Sequence, residues 1–414
     1  MADTVPDAEA THVLGIDSGG SGVRVGVARA NAYGGSAAQN PLTGSPPPMS
    51  STPLRWSSPP RGSSSAPLTW SSSTPAVVGA RGIDADDLLA RVLPAARELL
   101  REAGARRLGA VCVGAAGMAT LGDDLRARLP DALADSLGVR RLALAADAVT
   151  AYAGALGQRP GAVVAAGTGL IALGAVPEGV GEGLGVASDP DDAFRRGGGP
   201  GTGGAPSTDR ASSTDAASAA DGTAPGGGTR WAATGWRRAD GWGHLLGDCG
   251  GGAWIGRAGL EAAMRAYDGR DGGSKPLLAR LEAVFGPATG LPGKLYPRPD
   301  RPAVLASFAP EVGRCAAEDP VAEAILRTAA RHVAEAAEAV CPRLESSEVA
   351  LTGGLFRMGA PLLTPVREEL AARLPGVRVT EAAGDPLDGA LCVAAALAAD
   401  ELRLPRDPAL LSVV

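Results

Sequence analysis

The sequence predicts an α/β protein built as two halves of similar design. Three observations carry this. Apolar strands alternate with amphipathic helices along most of the chain. A plan of strand, glycine turn and strand occurs twice, at 13–28 (VLGIDSGGSGVRVGVA) and at 162–175 (AVVAAGTGLIALGA). Acidic or glycine residues then stand where strands end, at Asp17, Asp147 and Gly353.

Taken in order, 13–28 reads as two strands about a Gly-rich turn, with Val23, Val25 and Val27 alternating. Residues 84–103 place Leu88, Leu89, Val92, Leu93, Ala96 and Leu99 at helical spacing. The run LGAVCVGAAGM at 108–118 is a buried strand ending in glycine, followed by a helix around 122–137 and a short strand at 142–146. A short helix follows Asp147, and the second strand–turn–strand unit comes next. Helices are expected at 252–267, 276–286 and 320–340, the last with Ile325, Ala329, Val333, Ala336 and Val340 on one face. A strand at 349–352 meets Gly353 and Gly354, and an Ala-rich helix covers about 386–399.

Two stretches break this pattern. Residues from about 42 to 76 are rich in Ser and Pro, and those from about 189 to 229 in Gly, Ser, Thr, Ala and Asp; both read as disordered surface insertions. The expected layout is a flexible tail at 1–10, an N-terminal domain at 11–150 and a C-terminal domain at 151–385. A helix at 386–400 packs back on the first domain, and 401–414 forms a tail.

Composition narrows the function classes. A chain of 414 residues with 45% hydrophobic residues can bury two cores. A net charge of −6 gives no general attraction to nucleic acid or anionic lipid. The start MADTVPDAEATHV lacks the basic and apolar regions of a signal peptide, and no apolar run approaches a membrane span, so a cytoplasmic protein is expected. Five cysteines, Cys112, Cys249, Cys315, Cys341 and Cys392, show no CxxC or Cys/His spacing and indicate neither a disulfide framework nor a zinc site.

Four segments could carry chemistry. The turn from Asp17 to Gly22 puts a carboxylate at a strand end, followed by Gly19, Gly20, Ser21 and Gly22, whose backbone N–H groups can converge on a phosphate. The plainer reading is a tight hairpin whose Asp bonds its own turn. No GxxxxGK[ST] is present, and a strand rather than a helix follows the glycines, so neither a P-loop nor a dinucleotide fingerprint fits. Gly167, Thr168 and Gly169 offer a second cradle with a hydroxyl. Asp147 stands where a helix N-cap normally sits, which is also where a general base would face a cleft. The run GWGHLLGDCGGGAWIG at 241–256 concentrates two Trp, His244, Asp248 and many glycines ahead of an amphipathic helix. Its Asp248 suits hydroxyl recognition, while core packing is the plainer reading for Trp254, and His244 and His332 read as structural. Gly353 and Gly354 make a third point of close backbone approach, or merely a strand-to-helix turn.

In that order these segments resemble the N-acetylglucosamine kinase and BadF/BadG/BcrA/BcrD ATPase family, within the superfamily of actin-like ATPases. GIDSGGSG resembles its first phosphate motif, AADA with AAGTG its catalytic Asp and second phosphate motif, GWGHLLGDCGG its GGWGxxxGDEGS sugar signature, and LTGGL its adenosine motif. The resemblance implies two ribonuclease-H-like domains around an interdomain cleft and transfer of phosphate from ATP to an amino sugar, with N-acetylglucosamine 6-phosphate as product. It implies Asp147 as base and sugar contact, and Asp17 as the Mg²⁺ residue, directly or through water. Gly19, Gly20, Ser21, Gly22, Gly167, Thr168, Gly169, Gly353 and Gly354 would contact ATP. Asn40, Gly241, Trp242, Gly243 and Asp248 would contact the sugar. ATP and a small amino sugar are the expected partners, without nucleic acid or membrane, and a homodimer is an admitted assembly. Two departures from the family's pattern stand out: Leu170 and Ile171 follow GTG where Ser, often followed by Asn, is usual, and Cys249 replaces Glu. Glucosamine kinase, an activator ATPase of an acyl-CoA dehydratase or reductase, and a non-catalytic sugar-binding regulator stay open as alternatives.

Overall fold

Central strands buried almost continuously on both faces, helices buried along one stripe (Ala85–Glu102, Pro320–Val340) and helices buried nearly all round (Asp147–Leu156, Pro386–Ala398) sort the chain into two sheets with helices between and around them. A computed structural model describes residues 11–19, 22–33, 66–79, 82–180 and 235–414. The strands are β1 His12–Gly19, β2 Gly22–Arg29, β3 Leu68–Ser72, the two-residue pair β4 Val78–Gly79 and β5 Gly82–Ile83, β6 Leu108–Ala115, β7 Leu142–Ala146, β8 Gly161–Ala166, β9 Leu170–Val176, β10 Gly235–Asp240, β11 Glu348–Thr352, β12 Arg378–Glu381 and β13 Leu411–Val413. The helices are α1 Ala85–Glu102, α2 Met118–Leu121, α3 Asp123–Leu137, α4 Asp147–Leu156, α5 Gly252–Tyr267, α6 Lys275–Phe285, α7 Leu291–Leu295, α8 Arg301–Ala306, α9 Ala309–Cys315, α10 Pro320–Val340, α11 Ala360–Arg373 and α12 Pro386–Ala398.

The internal echo is a repeated topology. The first sheet has the order β13-β7-β6-β1-β2-β3 and the second β10-β9-β8-β11-β12. In each half three strands meander antiparallel (β1-β2-β3 and β8-β9-β10), and two further strands join the first of them in parallel. Parallel pairing places the C-terminal ends of β1, β6 and β7 along one edge, and those of β8 and β11 along the corresponding edge of the other sheet. Ligands of open α/β sheets bind beyond such ends. This is the pair of ribonuclease-H-like folds that the sequence resemblance implies.

Two helices join the halves. The helix after β7, α4, packs on β8, β9 and β11 of the second sheet, while α12, which follows β12, packs on β1, β6 and α4. Their crossing is close: a Cβ on Gly389 would lie 1.8 Å from the Thr150 carbonyl oxygen, so only glycine lets the two backbones approach this far. Asp385 caps α12, accepting from the N–H groups of Leu387 and Asp388, while Asp388 bonds back to the Asp385 N–H.

Three expectations change. The Ser/Pro-rich stretch ends in structure: β3 pairs with β2, and Leu68 and Trp70 pack on the first core, covering an edge that β2 would otherwise expose. The stretch read as a C-terminal tail supplies β13, whose fully buried Leu411 closes the other edge against β7. The segment between α6 and α10, to which no element was assigned, holds α7, α8 and α9. The 189–229 insertion, most of the 42–76 insertion and the 1–10 tail lie outside the described residues.

Candidate functional site

The β1 end carries the first part of the site. Asp17 stands opposite Arg24 in the β1–β2 register, and its Oδ2 accepts from Arg24 Nη2 at 2.6 Å and Nε at 3.1 Å. Arg24 also bonds Asp385, so one guanidinium ties the first strand to the cap of α12. Burial pushes the Asp17 carboxyl above its ordinary range against the pull of Arg24, and Asp385 pushes the same way. Oδ1 of Asp17 has no hydrogen-bond partner among the described residues. A hard carboxylate oxygen left open beside a glycine turn fits Mg²⁺, which takes one or two carboxylates plus phosphate and water. Gly19 ends β1 and Gly22 opens β2, whereas Gly20 and Ser21 lie outside the described residues.

Asp147 sits one residue further than a cap: Ala146 is the N-cap and Asp147 the first residue of α4. Its Oδ1 accepts from the Ala148 N–H at 2.9 Å. The side chain reaches solvent but is crowded by surrounding protein. That crowding raises its carboxyl above the ordinary range, with Asp17 adding to the rise and Arg238 opposing it. Thus the ends of β1 and β7 bring Asp17 and Asp147 within each other's field.

The second half supplies the facing wall. Gly167 N–H bonds the Gly169 carbonyl, and the Gly167 and Thr168 carbonyls accept from Gly252 and Ala253 at the start of α5. The GTG turn is therefore seated on a helix N-terminus, where partial positive charge favours anions. Gly353, at φ 106°, lies against the Ala166 carbonyl that ends β8, so the third glycine turn adjoins the second.

The segment from Gly241 to Asp248 is a loop held by carboxylates. Asp240, at φ 60°, accepts from Asp248 N–H at 2.5 Å and Cys249 N–H at 2.9 Å. Asp248, at φ 55°, accepts from Gly243 N–H at 3.1 Å and from the Leu170 backbone, which ties the loop to the GTG turn. A carboxylate offers about four acceptor positions, so two backbone bonds leave room for hydroxyls. Burial raises the Asp248 carboxyl. Gly241 and Gly243 have positive φ. Trp242 is 62% exposed, with the Arg238 guanidinium 4.3 Å from its ring centroid, rather than packed in a core. Trp254 does pack, edge-on to His332 at 5.2 Å, as the plainer reading expects. Leu170 is buried in the second core, so the departure after GTG adds an apolar anchor under the turn.

Asn40 lies outside the described residues. Four residues that the sequence did not single out stand at the site: Arg24, Arg238, Asp240 and Asp385. Only Asp385 left a readable signal, the Asp-Pro-Leu-Asp pattern of a helix start. The arginines sit at ordinary strand positions, and their importance comes from register.

The geometry brings the ends of two sheets, three glycine turns and the carboxylates Asp17, Asp147 and Asp248 together as one candidate site. The model of the BadF/BadG/BcrA/BcrD ATPase family matches residues 235–398, from β10 through α12, which bears out the resemblance drawn from the motifs. The fold is similar to that of a candidate N-acetylglucosamine kinase from Chromobacterium violaceum, at 23% identity and a TM-score of 0.53, covering 92% of this chain and 98% of that one. A second candidate N-acetylglucosamine kinase, from Porphyromonas gingivalis, is similar at 14% identity and a TM-score of 0.53, covering 92% and 97%. Comparison with curated protein sequences gives no match.

Proposed function

We propose that the chain is an ATP-dependent sugar kinase whose acceptor is an amino sugar, with N-acetylglucosamine converted to its 6-phosphate. The observation that carries this reading is Asp147: a raised carboxyl at a strand end, beside Asp17 and within the field of Arg238, which itself bonds the Gly241 carbonyl of the glycine loop. In this reading Asp147 accepts the proton of the sugar hydroxyl as the hydroxyl attacks the γ-phosphate. Gly19, Gly20, Ser21, Gly22, Gly167, Thr168 and Gly169 cradle the phosphates from two sides, and Gly353 and Gly354 lie against the adenosine. Gly241, Trp242, Gly243, Asp248 and Asn40 hold the sugar. Asp17 would hold Mg²⁺, directly or through water, and the ion would neutralise phosphate charge during transfer. Catalysis is then positioning and charge neutralisation in a cleft that excludes water.

No helix among the described residues is long and apolar enough to cross a membrane. The proposed setting is cytoplasmic, with ATP and a small sugar as partners and a homodimer as the assembly to examine. Burial of Leu170, where a polar residue is usual, removes one polar group from the acceptor side and makes glucosamine the second acceptor to test. The test is a panel of amino sugars with Mg-ATP, read by ADP release and product mass. Turnover is expected with N-acetylglucosamine or glucosamine; ADP release that no sugar stimulates would overturn the assignment.

A further inference from the structure

A groove of about 550 Å³ runs along one face of α5, outside the proposed catalytic cleft. Its wall includes none of the three glycine turns, nor Asp17 or Asp147. The volume lies within the range of small-molecule sites, about 300–1,000 Å³. Its floor is fixed by buried Leu260, Leu291 and Leu305, which hold a rigid apolar surface. Tyr296, 71% exposed, adds an aromatic face at the mouth.

Charge decides what such a groove accepts. Arg257, Arg265, Arg270 and Arg301 line it against two carboxylates, Glu261 and Asp268, an excess of two positive charges. Arg265 uses only Nε, on the Asp271 carbonyl at 2.8 Å, and Arg301 only Nε, on the Arg298 carbonyl at 2.7 Å. Both terminal nitrogens of each lack a partner among the described residues. Arg270 is exposed, and its side chain has no hydrogen bond or ion pair among the described residues. Arg257 is 3.5 Å from Glu261, an exposed pair that is weak. Several guanidinium groups with open donors over an apolar floor match phosphate or carboxylate on an apolar body, because the fork of donors fits such oxyanions.

We infer that the groove lined by Arg257, Arg265, Arg270 and Arg301 over Leu260, Leu291 and Leu305 is a second ligand site, which takes an organic anion with an apolar or aromatic body. His244 and Leu245 belong both to its wall and to the loop that ends in Asp248, so a ligand there touches the element proposed to hold the sugar.

The test is calorimetric titration of the full chain with 1-naphthyl phosphate, without ATP or sugar, so its outcome is independent of the kinase assignment. Saturable binding with Kd below about 1 mM is expected. Inorganic phosphate alone and 1-naphthol alone should each bind at least about tenfold more weakly. Arg265→Gln with Arg301→Gln should weaken the probe about tenfold or more, as should Arg270→Gln, which alters an exposed side chain and leaves the melting temperature unchanged. Saturating β,γ-imido-ATP should not displace the probe. Absence of saturable binding, equal binding by phosphate alone, displacement by the ATP analogue, or full affinity in the arginine variants would each overturn the inference. So would sedimentation showing that a second copy of the chain covers the groove.

Discussion

At the residue scale the account turns on Asp147. As the proposed base it must be ionised to accept a proton, and its surroundings hold its carboxyl above the ordinary aspartate range. Activity should therefore rise with pH through an acid limb that lies higher than an ordinary aspartate would give; kcat/KM measured against pH with saturating Mg-ATP checks this. Asp147→Asn should lower kcat by roughly 100- to 10,000-fold while leaving the affinity for ATP within a few-fold. The same shift has a stability consequence. A carboxyl whose folded-state pKa is raised favours the fold below its unfolded pKa, and that contribution is lost as pH rises through the folded value. Asp147→Asn should thus melt no lower than wild type at neutral pH, and the difference should shrink on acidification. The residues at this scale were unevenly legible. Asp17 and Asp248 stand beside glycine turns, and Asp147 stands where an apolar strand gives way to a helix, local patterns that sequence displays. Arg24, Arg238 and Asp240 matter because register and turn geometry bring them to Asp17, Asp147 and the Asp248–Cys249 backbone, and no local pattern records that.

At the element scale the strands and long helices followed from periodicity. The burial of Leu88, Leu89, Val92, Ala96 and Leu99 on α1 and of Ala329, Val333 and Val340 on α10 matches the stripes visible in the sequence. β3 did not follow, because its Leu68 and Trp70 alternate with Thr and Ser inside a Ser/Pro-rich stretch, and pairing with β2 supplies what composition withholds. α11 also went unread. Pro361 and Pro365 interrupt its pattern, although Leu362, Val366 and Leu370 form a buried stripe at four-residue spacing. The crossing of α4 and α12 gives a direct test of packing. Gly389→Ala would press a methyl group into the Thr150 carbonyl. A loss of about 1–3 kcal/mol is expected, read as a lower urea midpoint at unchanged slope.

At the scale of the whole molecule, two copies of one topology face each other, and each lends a helix to the interface between them. α12 buries Leu387, Leu391, Val393 and Leu397, side chains worth about 1.5–3 kcal/mol each. Ending the chain at 385 removes them, a loss of about 6–12 kcal/mol and comparable to the usual margin of about 5–15 kcal/mol, and also uncovers β1 and β6. The product is expected to be insoluble or unfolded by circular dichroism. The repeat was legible because both glycine turns sit between similar strands, and the return of the last helix to the first half was expected; the reverse crossing of α4 onto the second sheet was not, since it is a property of the assembled sheets. The central claim, transfer of phosphate to an amino sugar by this cleft, is tested most directly by mass spectrometry of N-acetylglucosamine after incubation with the full chain and Mg-ATP. The account predicts a sugar heavier by one phosphoryl group, formed by wild type and nearly absent with Asp147→Asn; unmodified sugar recovered while ATP is consumed at the same rate by both would contradict it.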